Sequence, residues 1–139
     1  MVPPGIDAFD PANPLVFAVG PLCGTSAPTS GRHEVAALSP LTGLFAESDV
    51  GGSWGSALRA TGFDFLVIKG AADNPTSIVI TESGARLEDA QGLWGQDTFA
   101  TCGHYDRKYS GSRPSSRLRL PGPPARSTTP SACQRRPGK

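Results

Sequence analysis

Composition breaks sharply after Thr101, and the break bounds how much of this 139-residue chain can build a core. Residues 102–139 contain six Pro, six Ser and no Val, Ile or Phe, with Leu118 and Leu120 as the only sizeable aliphatics. Such a segment cannot bury enough apolar surface to offset roughly 1–2 kcal/mol of backbone entropy per ordered residue. It is expected to be a disordered tail, and the folded unit is expected within residues 1–101. Charge breaks at the same place. Residues 1–101 carry four basic groups, Arg32, Arg59, Lys69 and Arg86, against eleven acidic ones, a balance of −7. Residues 102–139 carry nine basic groups against Asp106 alone, a balance of +8. The net charge of +1 averages two unlike parts. An asymmetry of this size marks a basic interaction tail or a segment of separate origin.

Within the first part, short apolar runs alternate with glycine-rich loops. Residues 1–14 are turn material, with prolines on either side of Asn13. "LVFAV" (15–19) has the length and continuity of a buried strand. "HEVAAL" (33–38) is a weaker strand candidate, and "SPLTGLFAESDVGGSWG" (39–55) reads as a second glycine-rich loop. "SALRA" (56–60) suits a short helix stopped by Gly62. "FDFLVIKG" (63–70) is the strongest strand pattern, apolar on most of both faces, which predicts a central, buried strand. "SIVIT" (77–81) and "ARLEDA" (85–90) read as a hairpin turning at Gly84, and Asp97 as the N-cap of a following helix. No internal repeat is present. The pattern is a β-rich α+β domain with long loops suited to carrying function.

The chemistry concentrates in two of those loops. "GPLCGTSAPTSGR" (20–32) places Gly20, Gly24, Ser26, Ala27, Ser30 and Gly31 around a single cation, Arg32. Small residues let backbone N–H groups approach an anion closely, and a guanidinium offers a planar fork matched to phosphate. The second loop adds Asp49, Gly51, Gly52 and Gly55. One reading is a cradle for an anionic ligand. The other is a pair of tight loops in a compact β domain, with Arg32 in a surface salt bridge. Neither loop has the spacing of a Walker A or dinucleotide fingerprint.

Several other features bound the function. Cys23, Cys102 and Cys133 form no CxxC, and this sparse odd count fits a reducing cytoplasm better than a secreted disulfide framework. No apolar run reaches the roughly 18 residues of a membrane span. The N-terminus has neither the basic nor the apolar region of a signal peptide. A cytoplasmic location without membrane attachment is expected. His33 and His104 stand without a partner at ligand spacing and read as packed or exposed, not as metal ligands. Trp54 and Trp94 read as anchors of the core or of loops.

The order "NPLVFAVGPLCGTSAPTSGR", "SPLTGLFAESDVGGSWGSALRATGFDFLVIKG" and "LWGQDTF" resembles the N-terminal domain of the aldehyde ferredoxin oxidoreductase family, over about residues 3–101. The resemblance implies two packed sheets that form the base for a tungsten, or sometimes molybdenum, bis-pterin cofactor. It implies that Arg32 reaches a pterin phosphate and that Asp49, Gly51 and Gly52 line the cofactor. At the position of Asp49 the family carries asparagine. A carboxylate only accepts hydrogen bonds, and here it would face an anion. The family oxidises aldehydes to carboxylic acids and passes electrons through a [4Fe–4S] cluster to ferredoxin, and a homodimer is among the assemblies it allows. The cluster needs four thiolates, and the three cysteines here match none of its ligands. No catalytic residue and no metal ligand is therefore expected in this chain, which reads as a fragment missing the family's opening strands and later domains and inactive on its own.

The tail admits a further expectation. Codons allowed for "PSACQRRPG" (130–138), read one base later, can spell Leu-Leu-Leu-Val-Asn-Asp-Val-Arg-Gly, similar to a "VNDxRG" stretch of the family. The same offset lets "RLPGP" (119–123) spell Ala-Cys-Leu-Gly-Pro. A shifted reading frame over part of residues 102–139 is expected on that basis, and the coding DNA tests it. Two other function classes stay open: a non-catalytic cofactor-binding or scaffold module, and nucleic-acid binding through the tail's arginines. Tyr105 and Tyr109, the only aromatics near that basic cluster, precede it, which weakens the nucleic-acid reading.

Overall fold

The computed structural model describes residues 2, 4–109 and 118–122. In chain order the elements are β1 (Leu15–Val19), β2 (His33–Leu38), β3 (Phe45–Val50), α1 (Trp54–Ala60), β4 (Phe65–Ile68), β5 (Thr76–Thr81), β6 (Gly84–Asp89), a 3-10 turn (Gln91–Leu93), α2 (Thr98–Lys108) and β7 (Leu118–Gly122). They form two antiparallel sheets, ordered β3-β2-β1-β4 and β6-β5-β7. This is the expected α+β class: two sheets with short helices.

In the four-stranded sheet, Val16 faces Ala36 and Val67, while Phe17 faces Val35 and Leu66. Opposed residues share a face, so the register sorts the side chains of the sheet. The face carrying Phe17, Leu15, Val19, Val35, Leu66 and Ile68 turns inward. There it meets Trp54 and Leu58 of α1 and Ile78 and Ile80 of β5, and Phe17, Trp54, Leu58 and Ile80 are the buried centre. Phe17 and Trp54 pack with ring centroids 5.1 Å apart. The opposite face carries Phe65 and Val67 on β4, Val16 and Ala18 on β1, Glu34 and Ala36 on β2, and Glu47 and Asp49 on β3. Phe65 is 64% exposed, so no described residue covers that end of the outer face.

Two expectations are corrected here. "FDFLVIKG" does not form a central strand. β4 is an edge of its sheet among the described residues, with only one face packed. Its two-sided apolar pattern records a second face that the described residues leave open. "FAESDV", read as loop, is β3, paired along its whole length with β2. Its acidic and small side chains have low β-propensity, and the strand is almost wholly exposed, so pairing and not burial makes it a strand.

The hairpin of β5 and β6 turns at Gly84, whose φ of 127° lies in the region that favours glycine. Helix α2 starts where expected, with Asp97 Oδ1 accepting from the Ala100 N–H at 2.7 Å. It runs past Thr101 to Lys108 and buries Thr101 and Tyr105. Order therefore extends beyond the composition break, and Leu118–Gly122 pairs with β5 as well. The expected disorder and shifted frame of residues 110–117 and 123–139 lie outside the described residues.

Candidate cofactor-binding site

The loop of residues 20–32 is held largely by its own polar groups. The Cys23 N–H donates to the Gly20 carbonyl and the Thr25 N–H to the Leu22 carbonyl. The Thr25 and Ser30 hydroxyls donate to the carbonyls of Leu22 and Ala27 at 2.7 and 2.8 Å. Thr29 takes φ 58°, a left-handed conformation that a β-branched residue rarely adopts, so the loop holds real backbone strain. Sequence pattern alone carries no sign of that strain.

The structure brings this loop against the second one. A Cβ added at Gly55 would meet Cys23 Sγ at 3.1 Å, the Gly31 carbonyl oxygen at 3.2 Å and His33 Cβ at 3.3 Å. One at Gly31 would meet the Gly52 carbonyl oxygen at 3.5 Å. Glycine at 31 thus allows the first loop to approach the second at Gly52, and glycine at 55 allows it to pack on the start of α1. Gly52 turns the chain with φ 99°, while Gly20 and Gly51 border open space. Beside the contact lies a buried layer, in which Trp54 is the core anchor expected of it and His33, read as packed or exposed, is packed. His33 is 2% exposed and stacks on Trp54 with centroids 4.4 Å apart. His33 Nδ1 and Trp54 Nε1 are buried without a hydrogen-bond partner. Burial holds the His33 pKa below its ordinary value, and the nearby Asp49 carboxylate only partly opposes that. Cys23 is buried beside Ser56, Sγ to Oγ 4.0 Å.

Arg32 precedes β2, and Asp49 lies near the end of β3. The pairing of these strands brings the two side chains together, with Arg32 Nη1 donating to Asp49 Oδ2 at 2.6 Å. Their side chains are 65% and 49% exposed. The surface salt bridge foreseen as the plainer reading of Arg32 is therefore present, and its partner is the very residue expected to line the cofactor. Glu34 stands directly opposite Asp49 in the register. The Arg32 hydrogen bond holds the Asp49 carboxyl below the usual carboxylate range. Glu34 is pushed above its ordinary value, chiefly by its hydrogen bond to Asp49.

A phosphate-bearing group is tested by these residues one at a time. The exposed guanidinium of Arg32 fits it, and at Gly51 no side chain would stand in the way of a ligand. Asp49 does not fit: an ionised carboxylate already holding the cation is a competitor for an anion. Among the described residues, no group of three or more His, Cys, Asp or Glu is placed to hold a metal ion. No helix of the described residues is long and apolar enough to cross a membrane.

Comparison with known proteins gives this geometry a family. The family model for the aldehyde ferredoxin oxidoreductase N-terminal domain matches residues 1–136. The chain is 46% identical over 93 residues to a tungsten-containing aldehyde ferredoxin oxidoreductase of Pyrococcus horikoshii, covering 67% of this chain and 15% of the relative. It is 37% identical over 82 residues to a glyceraldehyde-3-phosphate:ferredoxin oxidoreductase of Pyrococcus furiosus, covering 59% of this chain and 12% of that one. Among solved structures it resembles the active-site complex BamBC of benzoyl coenzyme A reductase in complex with 1,5-dienoyl-CoA. That likeness has a TM-score of 0.74 and 34% identity, over 77% of this chain and 16% of the other. The chain spans about 15% of the length of such curated relatives, and it belongs to the aldehyde ferredoxin oxidoreductase family, as its N-terminal domain.

Proposed function

We propose that this chain is the part of an aldehyde:ferredoxin oxidoreductase-type enzyme on which a tungsten pterin cofactor rests. The observation that supports it best is the juxtaposition of two bare loops with an exposed guanidinium, in a domain of this family. Arg32 would hold the phosphorylated end of the pterin, with main-chain contacts from Gly51 and Gly52. Molybdenum is the alternative metal. When bound, the group supplies the two-electron redox centre for converting an aldehyde to a carboxylic acid. In the complete enzyme, a [4Fe–4S] cluster and then ferredoxin would take the electrons, and those ligands belong to parts of the family outside this chain. The role of this chain's own residues is to bind and orient, and alone it turns nothing over. A reductive reading is favoured by one observation, the structural likeness to a benzoyl coenzyme A reductase complex. The higher identity to the aldehyde enzymes supports the oxidative one.

The test is expression of the full chain, with tungstate, in a host that makes tungstopterin. Purified protein is expected to carry tungsten together with a pterin that fluoresces after oxidation. Arg32→Gln is expected to lose both while keeping its far-UV circular dichroism. Absence of pterin from the unmodified protein overturns the cofactor role. Aldehyde-dependent viologen reduction by the 139-residue chain overturns the expectation that it is inactive alone.

A further inference from the structure

The outer face of the four-stranded sheet presents an electrostatic conflict at the proposed anion site. Among the described residues, Arg32 is the cation there, with three carboxylates: Asp49 in contact with it, Glu34 opposite Asp49, and Glu47 two residues earlier on β3 and on the same face. An oxyanion approaching Arg32 meets a guanidinium already satisfied on one edge and a net negative surround. Removing the Arg32 contact would leave Asp49 and Glu34 facing each other across β2 and β3, and two adjacent carboxylates resist ionising together. His33 is near enough to feel the Asp49 charge, but its side chain is buried on the opposite face of the sheet, and burial lowers its pKa.

We propose that Asp49 is a built-in competitor for the Arg32 anion site: it occupies the guanidinium when no ligand is bound, yields to a tetrahedral oxyanion, and on yielding shares a proton with Glu34, so that oxyanion binding is linked to proton uptake. This rests on the reading of Arg32 as an anion contact and adds to it the residue that sets affinity and pH dependence. The balance is simple. One oxyanion replaces one carboxylate at the guanidinium, and the released carboxylate pair takes one proton from solvent. The raised pKa of Glu34 and the lowered pKa of Asp49 agree with a pair arranged this way.

Sulfate is the probe, because its charge stays fixed between pH 5 and 7.5 and any pH dependence then comes from the protein. Affinity is read by NMR titration of the full chain at pH 7.5 and pH 5, following the Arg side-chain N–H signals. Asp49→Asn is expected to bind sulfate about fivefold more tightly at pH 7.5, the range expected for loss of one exposed ion pair. The unmodified chain is expected to bind more tightly at pH 5 than at pH 7.5, and Asp49→Asn to lose most of that dependence. Glu47→Gln makes the same charge change on the same strand face without touching Arg32 and is expected to act much more weakly. Arg32→Gln is expected to abolish binding. If Asp49→Asn gains nothing, or Glu47→Gln gains as much, while Arg32→Gln still abolishes binding, the competition is overturned and the anion site stands. If Arg32→Gln binds like the unmodified chain, or no variant binds sulfate, the anion site itself is overturned and the competition with it. The substituted side chains are exposed, and far-UV circular dichroism confirms that each variant is folded.

Discussion

Gly55 shows how one missing side chain can set the geometry of a site. It lies in the first turn of α1, where alanine would ordinarily gain about 1 kcal/mol in helix propensity. Here a Cβ would press at once on a buried thiol, a loop carbonyl and the Cβ of a strand residue, all within 3.3 Å. Two of those groups are main chain or attached directly to it, so they cannot all give way. Gly55→Ala is expected to destabilise the fold by about 1–2 kcal/mol net, as overpacking in a tight site does, and a urea denaturation midpoint checks it. A glycine whose substitution proves stabilising would mean that the first loop does not pack on the start of α1. His33, beside it, has a titration signature. Its folded pKa lies below the unfolded value of 6.5, so the unfolded chain binds the proton more readily. Stability is full above about pH 6.5 and declines as pH falls through that value toward the folded pKa. Urea midpoints at pH 7.5 and pH 5.5 are expected to show the decline, and His33→Phe is expected to remove it in that window. Arg32 and the glycines were legible in the sequence because their types are unusual at such density. The His33–Trp54 stack was not, since nothing local ties a strand residue to a helix 21 positions later.

Helix α2 shows what an element owes to its neighbours. Its first turn is capped locally by Asp97, which the sequence announced. Its last turn is tied to β6 through Glu88, whose Oε2 accepts from Lys108 Nζ at 2.9 Å and from the Tyr109 hydroxyl, while Oε1 accepts from Arg86 at 2.7 Å. Burial works to raise the Glu88 pKa, but hydrogen bonds from Tyr109, Arg86 and Lys108 outweigh it and bring the value to about 2. The folded value lies below the ordinary 4.5, so the contribution is full above about pH 4.5 and is lost as pH falls toward 2. Glu88→Gln is expected to cost about 1–2 kcal/mol at pH 7, by weakening charge-assisted bonds while keeping the shape of the side chain. The gap between the thermal melts of the two proteins is expected to be narrower at pH 3 than at pH 7. This tether also explains why helix continues past Thr101. A composition-based boundary counts apolar residues, whereas the end of α2 is held by a buried Tyr105 and by polar bonds to a sheet. β3 escaped detection for a related reason: it has no apolar alternation and is a strand because β2 offers it a partner.

Among the described residues, the two faces of the four-stranded sheet are unequally covered. The inner face of the four-stranded sheet is filled by α1 and β5, while the outer face leaves Phe65 at 64% and Val67 at 43% exposure. Contiguous apolar surface of this kind binds hydrophobic dyes and promotes association. Replacing both residues with threonine, which suits a strand equally well, is expected to lower dye fluorescence while changing stability by less than about 0.5 kcal/mol per site. A loss well above that would mean the face is packed after all. The sequence by itself determined which segments are bare and which apolar, where the Gly84 hairpin turns, where Asp97 caps a helix, and the family to which the order of motifs belongs. Those follow from local conformational preference or from linear order, which a chain carries without folding. Only the tertiary structure decided that β4 is an edge strand, that "FAESDV" is a strand at all, that His33 lies beneath Trp54, and that Asp49 sits on Arg32. Each depends on which distant segment ends up alongside, because pairing and burial are properties of two surfaces and neither surface alone contains them.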